Sequence, residues 1–337
     1  MGGDAACLQG GVERWRRWGV LAGVLLAAVL LRLILGSAGV GLPDGETLAR
    51  VVFGHRVDRV VVGSVVGVAL AVAGVALQTL LRNPLAEPFL LGLSTAAALG
   101  MVAQWWVADV MGWHLGAGYG GAMVGTLVCM AVVYVAGRRG GMLDPLALLL
   151  TGVVIGTING AAIMLLVKLR PRLLRDDLAN WMMGFLRVDI SGWTLGVIAA
   201  MTAAGLAWMM MASRALDVAT LPPAEATALG AHIPRLRRAL FVVSGVLAAG
   251  AVVLAGPVAF VGLIAPHLAR RLVGPGHAQL VPAAAVLGAV LVIAADTAGA
   301  ACALVFHVGV IPLGVFTALI GGVSFLGMLR GGRAGWG

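Results

Sequence analysis

Long apolar runs separated by short polar stretches set the pattern of this chain. Residues 1–17 are polar, with Arg14, Arg16 and Arg17 just before an apolar run from Trp18 to about Leu35. No small-residue cleavage site follows, so this run predicts an uncleaved first helix rather than a signal peptide. Residues 36–59, with Arg50, Arg56 and Arg59, read as a loop. Further runs predict helices near 60–80, 89–108, 117–137, 146–167, 192–212, 239–255, 280–299 and 312–329, and a short broken piece lies between Ala255 and Gly274. Runs of this length and apolarity predict membrane spans. The expected fold class is therefore all-α and integral to a membrane, with about ten transmembrane helices.

Three interruptions stand out. The broken piece, AGPVAFVGLIAPHLARRLVG, carries Gly256, Pro257, Gly262 and Pro266 and runs into Arg270 and Arg271. Proline removes a backbone donor and clashes one turn back. Within a membrane such a break is tolerated only where protein or a cavity covers the freed groups. RNPLAEP (82–88) is a second break, because Pro84 and Pro88 forbid one continuous helix and the backbone must turn near a membrane face. The third is a long polar loop, SRALDVATLPPAEATALGAHIPRLRR (213–238). Within it Pro222-Pro223 opens a short helix and Gly230 closes it. The loop is either solvated chain with basic anchors or a handle for a cytoplasmic partner.

Composition agrees with the pattern: only 11% of residues are charged, against roughly a quarter in a soluble domain, and mean hydropathy is +1.03. The net charge of +9 does not imply nucleic acid, since no basic run has interleaved aromatics, and basic loop residues orient membrane proteins. With both termini in the cytoplasm, 14 basic residues fall inside: Arg14, Arg16, Arg17, Arg82, Arg138, Arg139, Arg214, Arg235, Arg237, Arg238, Arg270, Arg271, Arg330 and Arg333. The other 9 fall outside: Arg32, Arg50, Arg56, Arg59, Lys168, Arg170, Arg172, Arg175 and Arg187. The outer set either anchors to headgroups or forms a docking surface for an acidic partner. Cys7, Cys129 and Cys302 are too scattered to suggest zinc or a disulfide framework. Glycines at spacing four (Gly63/Gly67, Gly121/Gly125, Gly152/Gly156/Gly160, Gly192/Gly196) predict close helix packing.

A shift of 182 residues places Arg56 on Arg238, Gly63 on Gly245, Ala73-Gly74 on Ala255-Gly256, Pro84 on Pro266 and Gly92 on Gly274. Five helices separate the copies, so they would cross the membrane in opposite senses, as inverted repeats do in transporters. The expected organisation is one permease domain over 1–337, with repeat halves at 56–167 and 238–330 (helices 2–5 and 7–10). No P-loop is present, because the only lysine, Lys168, is followed by Leu169; H-E-x-x-H and G-x-S-x-G are also missing. Asp296 is the main intramembrane carboxylate. An ion-coupled secondary transporter usually needs more such groups. A passive scaffold driven by a separate ATPase fits better, with no catalytic residue, metal or bound cofactor of its own.

Several runs resemble the FecCD family, the permease subunits of ATP-driven importers for iron-siderophores, haem and cobalamin. GPVAFVGLIAPHLARRLVG (256–274) and AGVALQTLLRNPLAEPFLLGLSTAAALG (73–100) carry the resemblance most closely. RVDR (56–59), LLLTGVVIG (148–156), WMMGFL (181–186) and IPLGVFTALIGG (311–322) follow in the family's order, over about residues 45–330. The resemblance implies the type II importer permease fold. It also implies a homodimer with the pathway between subunits, two cytoplasmic ATPase subunits that carry ATP and Mg, and a periplasmic binding protein. The location implied is a bacterial inner membrane, with lipid and no nucleic acid as the other partner. By position, Glu225, Leu229, Gly230 and Arg235 would contact the ATPase, and Arg56 and Arg59 would pair with acids of the binding protein. Asn83 and Leu85, with Pro145 and Leu146, would form the cytoplasmic gate.

The chain also departs from that family. The arginine of the A-D-x-x-A-R pattern is replaced by Ala300, an acidic position before Pro312 by Val310, and GVSF (322–325) lacks the usual proline. These changes imply loss of a family ion pair and of a third docking arginine. Gly152, Gly156 and Asn159 share a helix face and are candidates to line the pathway, although an interhelical hydrogen bond serves Asn159 equally well. His55 and His114 read as interfacial, and His267 as a backbone cap. His307, at the outer mouth, is the candidate substrate contact and tilts the cargo towards haem. The functional expectation is a permease for haem or another iron chelate, with a siderophore or cobalamin permease as the alternative within the family.

Overall fold

The computed structural model describes residues 2–36, 39–41, 45–112, 120–170, 181–230 and 232–331. His114, Arg172, Arg175 and Arg333, weighed above, lie outside them. Among the described residues ten helices of 13 to 36 residues form the bundle, and three shorter ones connect them. In chain order they are α1 (Gly2–Ile34), α2 (Glu46–Leu81), a 3₁₀ turn (Pro88–Leu91), α3 (Leu93–Met111), α4 (Gly120–Ala136) and α5 (Pro145–Leu169). Then follow α6 (Gly192–Met211), the short α7 (Ser213–Thr220) and α8 (Pro223–Ala228), α9 (Ile233–Ala255), α10 (Val261–Val273), α11 (His277–Phe306) and α12 (Leu313–Gly331). Six of them are long and apolar enough to cross a membrane: α1, α2, α5, α6, α9 and α11, with shorter apolar helices at Gly120–Ala136 and Leu313–Gly327. Two antiparallel two-residue hairpins, Leu35–Gly36 with Gly39–Val40 and Arg138–Arg139 with Met142–Leu143, finish α1 and α4.

Helices α2, α9 and α11 form the centre, and α1, α5 and α6 lie largely outside it. Val72, Ala73, Val75, Ala76 and Leu77 of α2 are fully enclosed. The close approach is made by small residues. A side chain on Gly67 would collide with the backbone of Gly288 in α11, and one on Gly74 with that of Gly262 in α10. Gly121 and Gly125 of α4 meet Gly100 and Ala96 of α3 in the same way. Gly160, Gly192 and Gly196 have no neighbour within 4 Å, so the spacing-four pattern marks a packed seam at some positions only.

The structure corrects three readings of the pattern. Helix α2 begins at Glu46, not near Val60, so Arg50, Arg56 and Arg59 ride on a helix. The polar stretch reads as a loop, but Arg56 and Arg59 at spacing three share one helical face. Similarly α1 begins at Gly2, ahead of the apolar run. The offset of 182 residues also fails to pair like with like. Leu93 and Val261, and Pro145 and Leu313, begin corresponding helices at a common shift of 168 residues. The shift of 182 instead sets Pro84, in a break, on Pro266, inside α10. A chain with 50 glycines and 13 prolines supplies such coincidences readily.

Candidate functional site

The RNPLAEP break folds back into the bundle rather than lying on its surface. Arg82 closes α2 in the left-handed region at φ 49°. Asn83 then forms an Asx turn, its Oδ1 accepting from the Leu85 N–H at 2.9 Å. Ala86, Glu87 and Pro88 are buried. Gln78 holds the returning chain, with Nε2 donating to Ala86 O at 3.3 Å and to Gly262 O at 3.1 Å. The Glu87 carboxylate accepts the N–H of Phe260, at the second break, where Phe260 takes φ 68°. The two breaks thus satisfy each other's freed polar groups, which is what a membrane interior requires.

The segment 213–238 forms two short helices and the start of α9. Helix α7 buries Leu216 and Ala219 and is tied down from two sides. Arg82 donates to Ala219 O at 3.0 Å. Asp217 accepts from the backbone N–H of His277 at 2.9 Å and from its Nδ1 at 2.6 Å. The other ring nitrogen of His277 lies 3.0 Å from Thr79 Oγ1 on α2. Helix α8 is anchored by buried Ala226, and Gly230 closes it at φ 80°. Leu229 is 64% exposed, and Glu225, Gly230 and Arg235 are exposed with it. One turn into α9, Arg237 donates to Leu143 O at 3.1 Å. That carbonyl immediately precedes Asp144, whose carboxylate caps α5 by accepting from the Ala147 N–H at 2.8 Å. The segment therefore touches both elements expected to gate: the RNPLAEP break and the start of α5. Asn83, Leu85 and Pro145 are half-buried and Leu146 is 61% exposed.

Away from this end, the charged residues of α1, α2 and α11 meet. Asp296, 3% exposed, accepts from Arg32 Nε at 2.6 Å and from both Nε (3.1 Å) and Nη2 of Arg59. The guanidinium of Arg59 also stacks 4.9 Å from the centre of the Phe185 ring. Arg56, 4% exposed, donates to the carbonyls of Leu33, Ile34 and Gly39 at 2.8–3.1 Å. Within the chain itself, Arg56 and Arg59, the two arginines expected to dock a binding protein, are held by these contacts. Arg56 Nε has no partner among the described residues. The positions expected to have lost an ion pair, Ala300 and Val310, carry no charge, and the buried pair found nearby is a different one, between Arg32 of α1 and Asp296.

The pathway candidates also fall differently. Gly152 abuts Leu90 and Leu91, and Gly156 faces Thr95 and Gly92 at 3.8 and 3.9 Å. Asn159 is 7% exposed and donates to Thr95 Oγ1 at 3.2 Å, its interhelical alternative. These residues join α5 to α3. The open face of α5 is Leu146, Leu150, Val153, Val154 and Ile158. His267 lies inside α10 with Nε2 enclosed and without a partner among the described residues, so it caps nothing. His307 is exposed and ends α11 in the left-handed region at φ 52°. Sequence reasoning missed Arg32, Gln78, Asp217 and His277. Gln78 lies one turn before the break, but Asp217 and His277 are 60 residues apart with no local signal.

A polytopic helical bundle with re-entrant breaks and a pair of short surface helices tied to them defines a membrane permease. Residues 14–331 match the FecCD transport family, and the chain belongs to that family. It is 36% identical to the cobalamin import system permease protein BtuC of Halobacterium salinarum, over 85% of this chain and 74% of that one. It is 31% identical to the hemin transport system permease protein HmuU of Yersinia pestis, over 90% and 93%. A solved metal-chelate-type ABC transporter in an inward-facing conformation matches with a TM-score of 0.79 and 26% identity, covering 94% of this chain and 99% of that one. The chain has the permease fold of type II ABC importers.

Proposed function

We propose that this chain is the homodimeric membrane permease of an ATP-driven importer for haem or another iron chelate. In this reading a periplasmic binding protein delivers the cargo and two cytoplasmic ATPase subunits drive its passage. The chain lies in a bacterial inner membrane with both termini in the cytoplasm, in keeping with the excess of basic residues on that side. The observation that carries the reading is the double tether of the α7–α8 segment. Arg82 joins α7 to the RNPLAEP break, and Arg237 joins the start of α9 to the start of α5.

Exposed Leu229 and its neighbours would seat in the ATPase, so movement of that subunit displaces α7 and α8. Through Arg82 and the Asp217–His277 contact the displacement reaches the end of α2 and the loop holding Asn83 and Leu85. Through Arg237 it reaches Asp144, Pro145 and Leu146. The exposed apolar face of α5 would pair across the dimer axis and line the cargo route, in place of Gly152 and Asn159. Haem is favoured among iron chelates by the accessible imidazole of His307 at the outer end of α11. The relatives' names differ in cargo, cobalamin for one and hemin for the other. The test is reconstitution with the cognate ATPase and binding protein, measuring uptake and ATP hydrolysis with haem, a corrinoid and a ferric siderophore in turn. Haem should stimulate both. Stimulation by another of the three would overturn the cargo and keep the importer, and ATP-independent uptake would overturn the importer.

A further inference from the structure

A groove of about 480 Å³ lies on the side of the bundle between α4 and α6, with α9 as its floor. Its origin is in how α4 is held. The first turns of α4 pack on α3, through Gly121 and Gly125 against Gly100 and Ala96. Its last turns pack on α9, where Met130 meets Gly245 and the Tyr134 ring lies 5.8 Å from that of Phe241. Helix α6 rests on another side of α9, with Ile198 against Gly250 and Gly205 against Leu247. The starts of α4 and α6 therefore stand apart over the end of α9. The groove between them is polar at one end only. Asp189, Ser191 and Thr194 form its mouth, beside the exposed Trp193, and Leu127, Met201 and Val246 line its deep end. From mouth to deep end it follows α4 and α9 for about 10 Å and α6 for about 15 Å, at the helical rise of about 1.5 Å per residue. That is close to one leaflet of a hydrocarbon core about 30 Å thick.

We infer that this groove holds the acyl chain of a phospholipid, with an ethanolamine headgroup at the Asp189–Ser191 mouth. The apolar depth and the polar mouth match an amphiphile of leaflet length, and Trp193 stands where an aromatic side chain meets the headgroup level. A chain against a single convex helix touches it on one side, whereas here three helices surround it, so more of its atoms gain dispersion contacts. The mouth offers acceptors to the headgroup. Asp189 is exposed and meets only the guanidinium of Arg187 among the described residues, and the hydroxyls of Ser191 and Thr194 lie beside it. An ammonium supplies three donors to such a mouth, and phosphatidylglycerol supplies no cation for the carboxylate. Helix α5, whose open face is assigned above to the dimer axis, lines none of the groove, so the lipid and a second copy do not compete. The binding does not depend on the importer reading.

The experiment uses the purified full-length chain in a maltoside detergent, without any partner subunit. Dioleoyl-phosphatidylethanolamine is added, and the lipid retained per chain is read by native mass spectrometry. Val197→Trp and Leu127→Trp fill the groove from opposite walls at positions that are already exposed, and Val135→Trp adds the same bulk to α4 outside it. The parent and Val135→Trp should retain a phospholipid that both groove variants lose. Dioleoyl-phosphatidylglycerol should be retained less, and glycerophosphoethanolamine, which has no chain, not at all. No retention by the parent, retention by either groove variant equal to the parent's, or a loss shared by Val135→Trp overturns the inference. Equal retention of phosphatidylglycerol overturns the headgroup assignment. An arm without substitutions guards against variants that fail to fold: phosphatidylethanolamine bearing a chain diazirine, photolysed with the parent, should label Leu127, Met201 or Val246. Label confined to other helices overturns the inference equally.

Discussion

Replacing Asp296 with Asn should be among the most destabilising single substitutions in the bundle. The side chain is 3% exposed and holds one arginine from α1 and another from α2. The two arginines are not equivalent: the Arg32 side chain is 4% exposed, and that of Arg59 is 13% exposed and braced on Phe185. Arg59 can therefore turn partly to water once Asp296 is neutral, and Arg32 cannot. Two unit charges about 4 Å apart attract by about 4 kcal/mol at an effective dielectric constant of about 20. Removing one partner of a buried pair costs about 3–5 kcal/mol, because the other charge stays buried and uncompensated. Asp296→Asn should thus lose about 3–5 kcal/mol, essentially all through Arg32. Arg59→Met should lose less, since Asp296 keeps Arg32 and the lost cation–π contact is worth about 0.5–1 kcal/mol.

The decisive comparison is the double variant Arg32→Met/Asp296→Leu. Replacing a buried pair by apolar groups of similar volume is often neutral or stabilising, so the double variant should recover most of the loss seen in Asp296→Asn. The measurement is the midpoint of unfolding in a fixed detergent, read for the parent, both single variants and the double. A loss below about 1 kcal/mol for Asp296→Asn would show the pair to be solvated and of little worth. A double variant no better than the single one would show that the cost lies in packing among α1, α2 and α11 rather than in an orphaned charge.

Three further outcomes follow from the same contacts. Leu229→Asp should leave the permease dimer assembled and abolish cargo-stimulated ATP hydrolysis in the complete transporter, because it places a charge on the 64% exposed apolar tip of the α7–α8 segment; unchanged stimulation would remove that segment from the ATPase contact. Leu85→Cys, in a chain from which Cys7, Cys129 and Cys302 have been removed, should crosslink across the dimer when the cytoplasmic gate is closed and much less when it is open. No crosslink in any nucleotide state would place the gate elsewhere, and an equal crosslink in all states would make Leu85 a fixed contact. Gly67→Val should destabilise the chain by about 1–3 kcal/mol through overpacking, since its Cβ meets the Gly288 backbone, whereas Gly160→Val, with nothing within 4 Å, should be nearly silent in the same unfolding assay.

What could be read in the chain, and what could not, follows from the range of the interaction concerned. Helix existence is written locally, in apolar runs and in proline breaks, and both re-entrant breaks were legible at Pro84–Pro88 and Gly256–Pro257 for that reason. The short helix opened by Pro222-Pro223 and closed by Gly230 was legible too, because caps and stops act within one turn. The start of α2 was not, since a polar first stretch is loop-like by composition, and Arg56 and Arg59 find their acceptors only on the end of α1, the hairpin after it and α11. Side-chain contacts were not legible wherever the partner lies far along the chain. Arg59 and Asp296 are 237 residues apart, and Arg32 and Asp296 264. Read singly, Arg56 and Arg59 are outward-facing cations and Asp296 is a lone intramembrane carboxylate; in the structure Arg59 and Arg32 pair with Asp296, and Arg56 is held by backbone carbonyls. Arg32 of α1 reaches Asp296 although nothing near either residue in the sequence marks the pairing. The same logic separates the two uses of glycine, because Gly67 and Gly160 sit in similar motifs and differ only in whether another backbone arrives beside them.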